Sequence, residues 1–231
     1  MRTVVLVQVR CGSTRFPNKI LSPLLGQPLL VHVARRAGRT PGVERVVLIC
    51  PAKDAPLLRP ILAPLHLDLF ADTGDEADLV GRHLRAAEWA QADLLVRVPG
   101  DNPCVDPVYL DAALAAYRKD PIPYYSNTTA AVGTVWVDGI GGEVVSRSRL
   151  QWLDARTTGR PDWREHPHRY FEDQGLLRLP PATIRLDVNT LQDYLVIRDL
   201  FTHFGHNQFT SQEVVQYLMP KGDPYAPCEV Q

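Results

Sequence analysis

Ten residues near the start of the chain concentrate groups that can do chemistry: Arg10, Cys11, Gly12, Ser13, Thr14, Arg15, Phe16, Pro17, Asn18 and Lys19. Three cations, a glycine and two hydroxyls in one loop suit a phosphate. The glycine lets backbone N–H groups approach an oxyanion, and the cations neutralise it. The loop directly follows a short β-branched apolar run at 4–9. In open α/β sheets ligands gather at the carboxyl ends of strands, so this loop stands where a ligand would sit. Read without that placement, it is equally a solvated basic turn. It is neither G-x-x-x-x-G-K-[ST] nor G-x-G-x-x-G, which excludes the two common phosphate fingerprints. Asp101 ends a later apolar run in a Gly-Asp turn. A carboxylate there suits Mg²⁺, which takes one or two carboxylates with phosphate oxygens and water. On its own it is as readily an ordinary turn residue. His166-Pro167-His168 and His203-x-x-His206 lack partners at metal spacing and indicate no structural metal. Cys11 has no evident base beside it, so no nucleophilic role is assigned.

The elements that must position these groups follow from periodicity. Runs at 4–9, 43–50, 67–71 and 94–103 read as strands. Between them, 28–39, 53–65 and 78–92 read as helices, the second interrupted by proline, and Asp106 or Pro107 opens another. Strand and helix alternating at this spacing predict an α/β fold with a mostly parallel central sheet and helices on both faces. After residue 120 the pattern changes. Strands are expected near 122–127, 133–145 and 183–188, and helices over 146–156, after a Thr190 cap, and after Thr210 or Ser211. The tail at 222–231 reads as loose. No linker or repeat stands out, so 1–231 is expected to be one domain with a substrate-shaping or dimerisation insertion near 120–175.

Composition narrows the function. Twenty-five Lys and Arg against 26 Asp and Glu give a net charge of −1, which argues against a general nucleic-acid binder. Cys11, Cys50, Cys104 and Cys228 form no CxxC pair, and a reducing cytoplasmic setting fits. No apolar stretch approaches the ~20 residues of a membrane span.

The first loop matches R-x-G-S-x-R-x-P-x-K at all six fixed positions: Arg10, Gly12, Ser13, Arg15, Pro17 and Lys19. This resembles the signature of the CMP-sugar-acid synthetases, the acylneuraminate and 3-deoxy-manno-octulosonate cytidylyltransferases. The branch it looks most like is the SpsF-like enzymes of spore-coat polysaccharide synthesis. TGDEADLVGRH (73–83), VRVPGDNPCVDP (96–107) and RLDVNTLQDYLVI (185–197) are similar to further blocks of that branch. The resemblance implies a Rossmann-like nucleotide-diphospho-sugar transferase fold. It also implies a Mg²⁺-dependent joining of CMP from CTP to a small anionic acceptor, with pyrophosphate released, in a cytoplasmic homodimer. Arg10, Arg15, Lys19 and Asp101 would carry the chemistry. Gln8, Gly12, Ser13, Asp78 and Arg82 would complete the nucleotide site, and Asp101, Asp187 and Asn189 would face the metal.

Two departures stand out. Asn189 occupies the aspartate position of a V-D-T-P block, while Asp187 lies two residues earlier on the same strand face. Gly141 replaces an acidic residue. The 124–170 segment adds no obvious strand to the βαβ series. It is expected to meet the acceptor through Asn127, Glu143, Glu165, His166 and Arg169. The competing readings are a nucleotidyltransferase for another NTP, a glycosyltransferase on a related fold, and a nucleotide-binding protein without catalysis.

Overall fold

Alternate residues of the first strand feed two different cores. In β1 (Thr3–Gln8), Val5 and Val7 pack in one apolar cluster and Val4 and Leu6 in the other. A strand buried on both faces belongs inside a sheet covered by helices. The computed structural model describes residues 1–120 and 124–221. The expected loose tail with Cys228, and the start of the 122–127 run, lie outside the described residues.

Along the chain β1 is followed by a short hairpin, β2 (Pro23–Leu24) and β3 (Gln27–Pro28). Then come α1 (Leu29–Ala37), β4 (Arg45–Pro51), α2 (Ala55–Leu62), β5 (Asp68–Asp72), α3 (Leu79–Trp89), β6 (Leu94–Pro99) and α4 (Pro107–Lys119). Asp106 caps α4 through the Val108 N–H, and Pro107 stands at its first position, where no N–H is needed. The later elements are β7 (Tyr125–Ser126), β8 (Thr129–Val132), β9 (Val135–Asp138), β10 (Glu143–Ser146), α5 (Arg147–Arg156), α6 (Pro161–Glu165) and α7 (Pro167–Asp173). They end with β11 (Ile184–Arg185), α8 (Leu191–Phe204) and α9 (Ser211–Leu218). Thr190 and Thr210 both form capping boxes, as their residue types predict.

The central sheet has the order β5-β4-β1-β6-β10-β7. Its first four strands run parallel, β10 joins antiparallel to β6, and β7 joins antiparallel to β10. Residues of α1, α2, α4, α8 and α9 pack on one face, and residues of α3, α5 and α7 on the other. The α/β expectation therefore holds. Two details of the later chain differ. The 124–170 segment does supply strands to the sheet, because β10 pairs with β6 in register Glu143↔Arg97. Its sense is antiparallel, so no βαβ spacing announces it. The 183–188 run yields only β11, which pairs with β9 in a separate sheet of three strands.

The chain moves outward from β1 to β4 and β5, then returns through α3 to β6 on the other side of β1. That reversal leaves a crevice at the carboxyl ends of β1 and β6. Gly100 closes its floor, donating its N–H to the Gln8 carbonyl at 2.8 Å. A Cβ on Gly100 would sit 2.5 Å from both the Gln8 oxygen and Val9 Cγ1. Gly100→Ala is therefore expected to cost about 1–3 kcal/mol by overpacking, read as a lower urea midpoint at unchanged slope.

Candidate active site

A cleft of about 830 Å³ opens at this crevice. Gln8, Arg10, Gly12, Ser13, Arg15, Lys19 and Asp101 all line it. Local hydrogen bonds shape the loop. The Cys11 carbonyl accepts from the N–H groups of Ser13 (2.9 Å) and Asn18 (3.2 Å), and the Cys11 N–H donates to Asp54 Oδ2 (2.9 Å). Asn18 adopts the left-handed region, φ 55°, which asparagine tolerates, and so turns the chain inward at Lys19. Burial, and then the Asp54 charge, raise the Cys11 thiol above its ordinary range, so nothing activates it.

Lys19 is only 8% exposed. Its Nζ donates to Asp101 Oδ2 at 2.5 Å, to the Val188 carbonyl at 2.6 Å and to Asn189 Oδ1 at 3.2 Å. Arg15 Nη2 donates to the same Asn189 oxygen at 2.9 Å. The Asn189 amide nitrogen donates to Asp187, whose carboxylate also pairs with Arg185 at 2.8 Å. Asp101, Asp187 and Asn189 thus share one wall of the cleft with the cationic loop. Among the described residues no group of three His, Cys, Asp or Glu is placed to hold a metal ion. The donor chemistry fits a Mg²⁺ ion that brings phosphate oxygens with it, with the Asp101 side chain, 25% exposed, as its carboxylate.

On the neighbouring wall Glu76, Leu79 and Arg82 line the cleft. Arg82 is nearly inaccessible. It reaches Asp72 (3.4 Å) and the Glu76 carbonyl (2.9 Å), so it braces the 75–76 turn. Asp78 is a correction: it does not line the cleft. Its Oδ1 caps α3 through the Gly81 N–H (2.9 Å) and pairs with Arg164 (2.8 Å), while its Oδ2 lies 3.8 Å from Arg85.

The acceptor expectations divide. Glu143, Glu165 and His166 line the cleft, whereas Asn127 and Arg169 do not. Asn127 is buried and structural, donating to the Tyr109 carbonyl (2.7 Å) and accepting the Gly142 N–H (3.1 Å). Gly141 backs onto it: a Cβ there would run into the Asn127 carbonyl and side-chain oxygens. The missing acidic residue at 141 is thus a matter of space. Arg169 is exposed on α7. Burial, followed by the Arg169 charge, pushes the His166 imidazole below the usual histidine range, so it is neutral at pH 7 and supplies no cation.

Sequence reasoning missed Arg97, Asp138, His168 and Arg185, which also face the cleft. Arg97 left a signal, a lone cation inside an apolar strand. It is buried and held by Glu143 Oε2 (2.5 Å) and Tyr124. Glu143 lies on β10 and Tyr124 stands just before β7, and the sequence does not announce the antiparallel addition of these strands. Asp138 accepts from Thr129 Oγ1 at 2.9 Å, and burial, then the Asp187 charge, raise its carboxyl above the usual range.

A profile of the family described as cytidylyltransferase matches residues 4–137. The chain belongs to that family, whose members are nucleotidyltransferases. It is 25% identical over 229 residues to the spore coat polysaccharide biosynthesis protein SpsF of Bacillus subtilis (strain 168), covering 92% of each. It is 30% identical over 123 residues to a 3-deoxy-manno-octulosonate cytidylyltransferase of Chlorobium phaeobacteroides (strain BS1). That match spans 53% of this chain and 48%, about half, of the relative. A cytidylyltransferase structure from Leptospira borgpetersenii shares the fold at TM-score 0.84 and 24% identity, over 100% of this chain and 99% of that one. CMP:2-keto-3-deoxy-manno-octonic acid synthetase, solved with CTP, shares it at TM-score 0.69 and 18% identity, over 88% and 100%. Among the described residues no helix is long and apolar enough to cross a membrane.

The structural role of Asn127 makes a direct prediction. Asn127→Ala is expected to lower unfolding stability by about 1–3 kcal/mol, because the buried Gly142 N–H and Tyr109 carbonyl lose their partner. Chemical denaturation followed by circular dichroism measures it.

Proposed function

We propose that this protein is a cytidylyltransferase that transfers CMP from CTP to a small anionic acceptor and releases pyrophosphate. The observation that carries the reading is the convergence of Arg10, Arg15, Lys19 and Asp101 at the crevice between β1 and β6. A triphosphate carries about four negative charges, and this loop concentrates the cations that match them. Arg10, Arg15 and Lys19 hold the phosphates and stabilise the charge that develops on pyrophosphate as it leaves. The Gly12 backbone and Ser13 hydroxyl bind phosphate oxygens, and Gln8 faces the nucleoside end. An acceptor oxygen attacks the α-phosphorus in line with the departing pyrophosphate. Bound Mg²⁺ would add electrostatic stabilisation of the phosphates, held by Asp101.

Glu143, Glu165 and His166 form the acceptor end. The relatives named as 3-deoxy-manno-octulosonate cytidylyltransferases support a 2-keto-3-deoxy sugar acid as the acceptor class. The homodimer and cytoplasmic setting implied by the resemblance belong to the same proposal.

The test is pyrophosphate release with each of four NTPs against a panel of acidic sugars and phosphonates. CTP is expected to be the preferred donor. Lys19→Ala should lower turnover or CTP affinity at least about tenfold, since charge-assisted contacts contribute about 1.5–3 kcal/mol each. Asp101→Asn should abolish release with the fold intact. Release from every NTP alike, or near-normal Lys19→Ala kinetics, would overturn the reading.

A further inference from the structure

The Asn189 side chain does two opposite things at once. Its oxygen accepts from two cations, Arg15 Nη2 at 2.9 Å and Lys19 Nζ at 3.2 Å. Its amide nitrogen donates to the Asp187 carboxylate. An amide can face cations with its oxygen and an anion with its nitrogen, whereas an ionised carboxylate only accepts. An aspartate at 189 would set a second carboxylate against Asp187, and that arrangement calls for an added cation between them. The present chain already has a cation at this wall. The Lys19 ammonium is ringed by Asp101 Oδ2 (2.5 Å), the Val188 carbonyl (2.6 Å) and Asn189 Oδ1, oxygens of the type that Mg²⁺ would take.

We propose that Lys19 is the resident cation of the Asp101–Val188–Asn189 oxygens, and that Asn189 keeps this position closed to a divalent ion. The free chain then has no divalent site here. A single divalent ion enters only with the nucleotide, on Asp101 and phosphate oxygens, and this second half rests on the cytidylyltransferase reading. While residue 189 is a neutral amide, the ring holds one carboxylate, which the ammonium already matches, so a divalent ion gains too little there to offset its repulsion from Lys19. The carboxylate at 187 does not substitute for one at 189, because Arg185 and the Asn189 amide hold it.

Mn²⁺ titrated alone into the full chain, followed by electron paramagnetic resonance of the free ion, tests the first half. Wild type is expected to bind no tighter than about 1 mM at this wall, and Asn189→Asp and Lys19→Met at least about tenfold tighter. Adding Asp101→Asn to Asn189→Asp should remove the gain, which locates it. Wild-type binding as tight as Asn189→Asp and lost in Asp101→Asn would overturn the proposal. So would folded Asn189→Asp that binds no tighter than wild type, even if Lys19→Met fails to fold. The second half is read by counting Mn²⁺ on the CTP complex: one per chain in wild type and two in Asn189→Asp, whereas two in wild type would overturn it. Failure of wild type to bind CTP would count against the proposed function, while the titration with Mn²⁺ alone still decides the role of Lys19 and Asn189.

Discussion

One buried ammonium joins three distant parts of the chain. Lys19 from the first loop meets Asp101 from the end of β6 and the Val188 carbonyl beyond β11. The Val188 N–H adds a backbone bond to the Asp101 carbonyl at 2.9 Å. Burying a lone charge is costly, and an ammonium surrounded by a carboxylate and two neutral oxygens is the arrangement that offsets the cost. The cleft has its shape because these segments are bound to one another at this point. The loop cannot swing out, and the 188–189 backbone cannot slide along the sheet, without stranding a charge.

That tie also explains how a chain of net charge −1 builds a cationic pocket. Local placement sets the field, not the total. Arg10, Arg15 and Lys19 stand on one loop, while carboxylates elsewhere in the cleft carry their own partners. Arg97 is matched by Glu143, and Asp187 by Arg185. At the acceptor end His166 is held neutral, and the Asp138 carboxyl is pushed toward its neutral form by burial. Positive charge is therefore concentrated where a triphosphate would lie. The far end presents hydrogen-bonding groups more than net charge.

The parts legible in the sequence are those governed by local rules. A short, continuous β-branched apolar run at 4–9 announced β1 as a buried strand, and the cation spacing after it marked the cleft. The position of Asp101 was legible only together with the cationic loop, since a Gly-Asp turn ending an apolar run next to that loop falls at the same edge of the sheet. Asp78, Asn127 and Arg169 were not, because the same side chain serves a cap, a buried bridge or a substrate according to what tertiary structure brings beside it. Arg164 claims Asp78 from 86 residues away, and the Tyr109 carbonyl claims Asn127 from α4. The place of β10 was hidden for a related reason: its residues read as strand within 133–145, but four residues joining a parallel sheet antiparallel leave no mark of which sheet they enter.

The family profile covers residues 4–137, and that stretch supplies the cationic loop, the bracing Arg82 and Asp101. Glu143, Glu165, His166 and Asp187 come from beyond it. The two contributions meet on β6, whose alternation puts Arg97 on one face toward Glu143, while its end delivers Asp101 to Lys19. A strand pinned at both places fixes the distance between the two ends of the cleft. Substitutions on β10, α6 and α7 can then reshape their end of the cleft without moving the cationic loop, because Lys19 and Val188 hold the other end still. The constraint runs one way: altering residue 19, 101 or 189 disturbs both ends, since each is part of the only buried charge cluster among the described contacts that links the first loop to the last third of the chain.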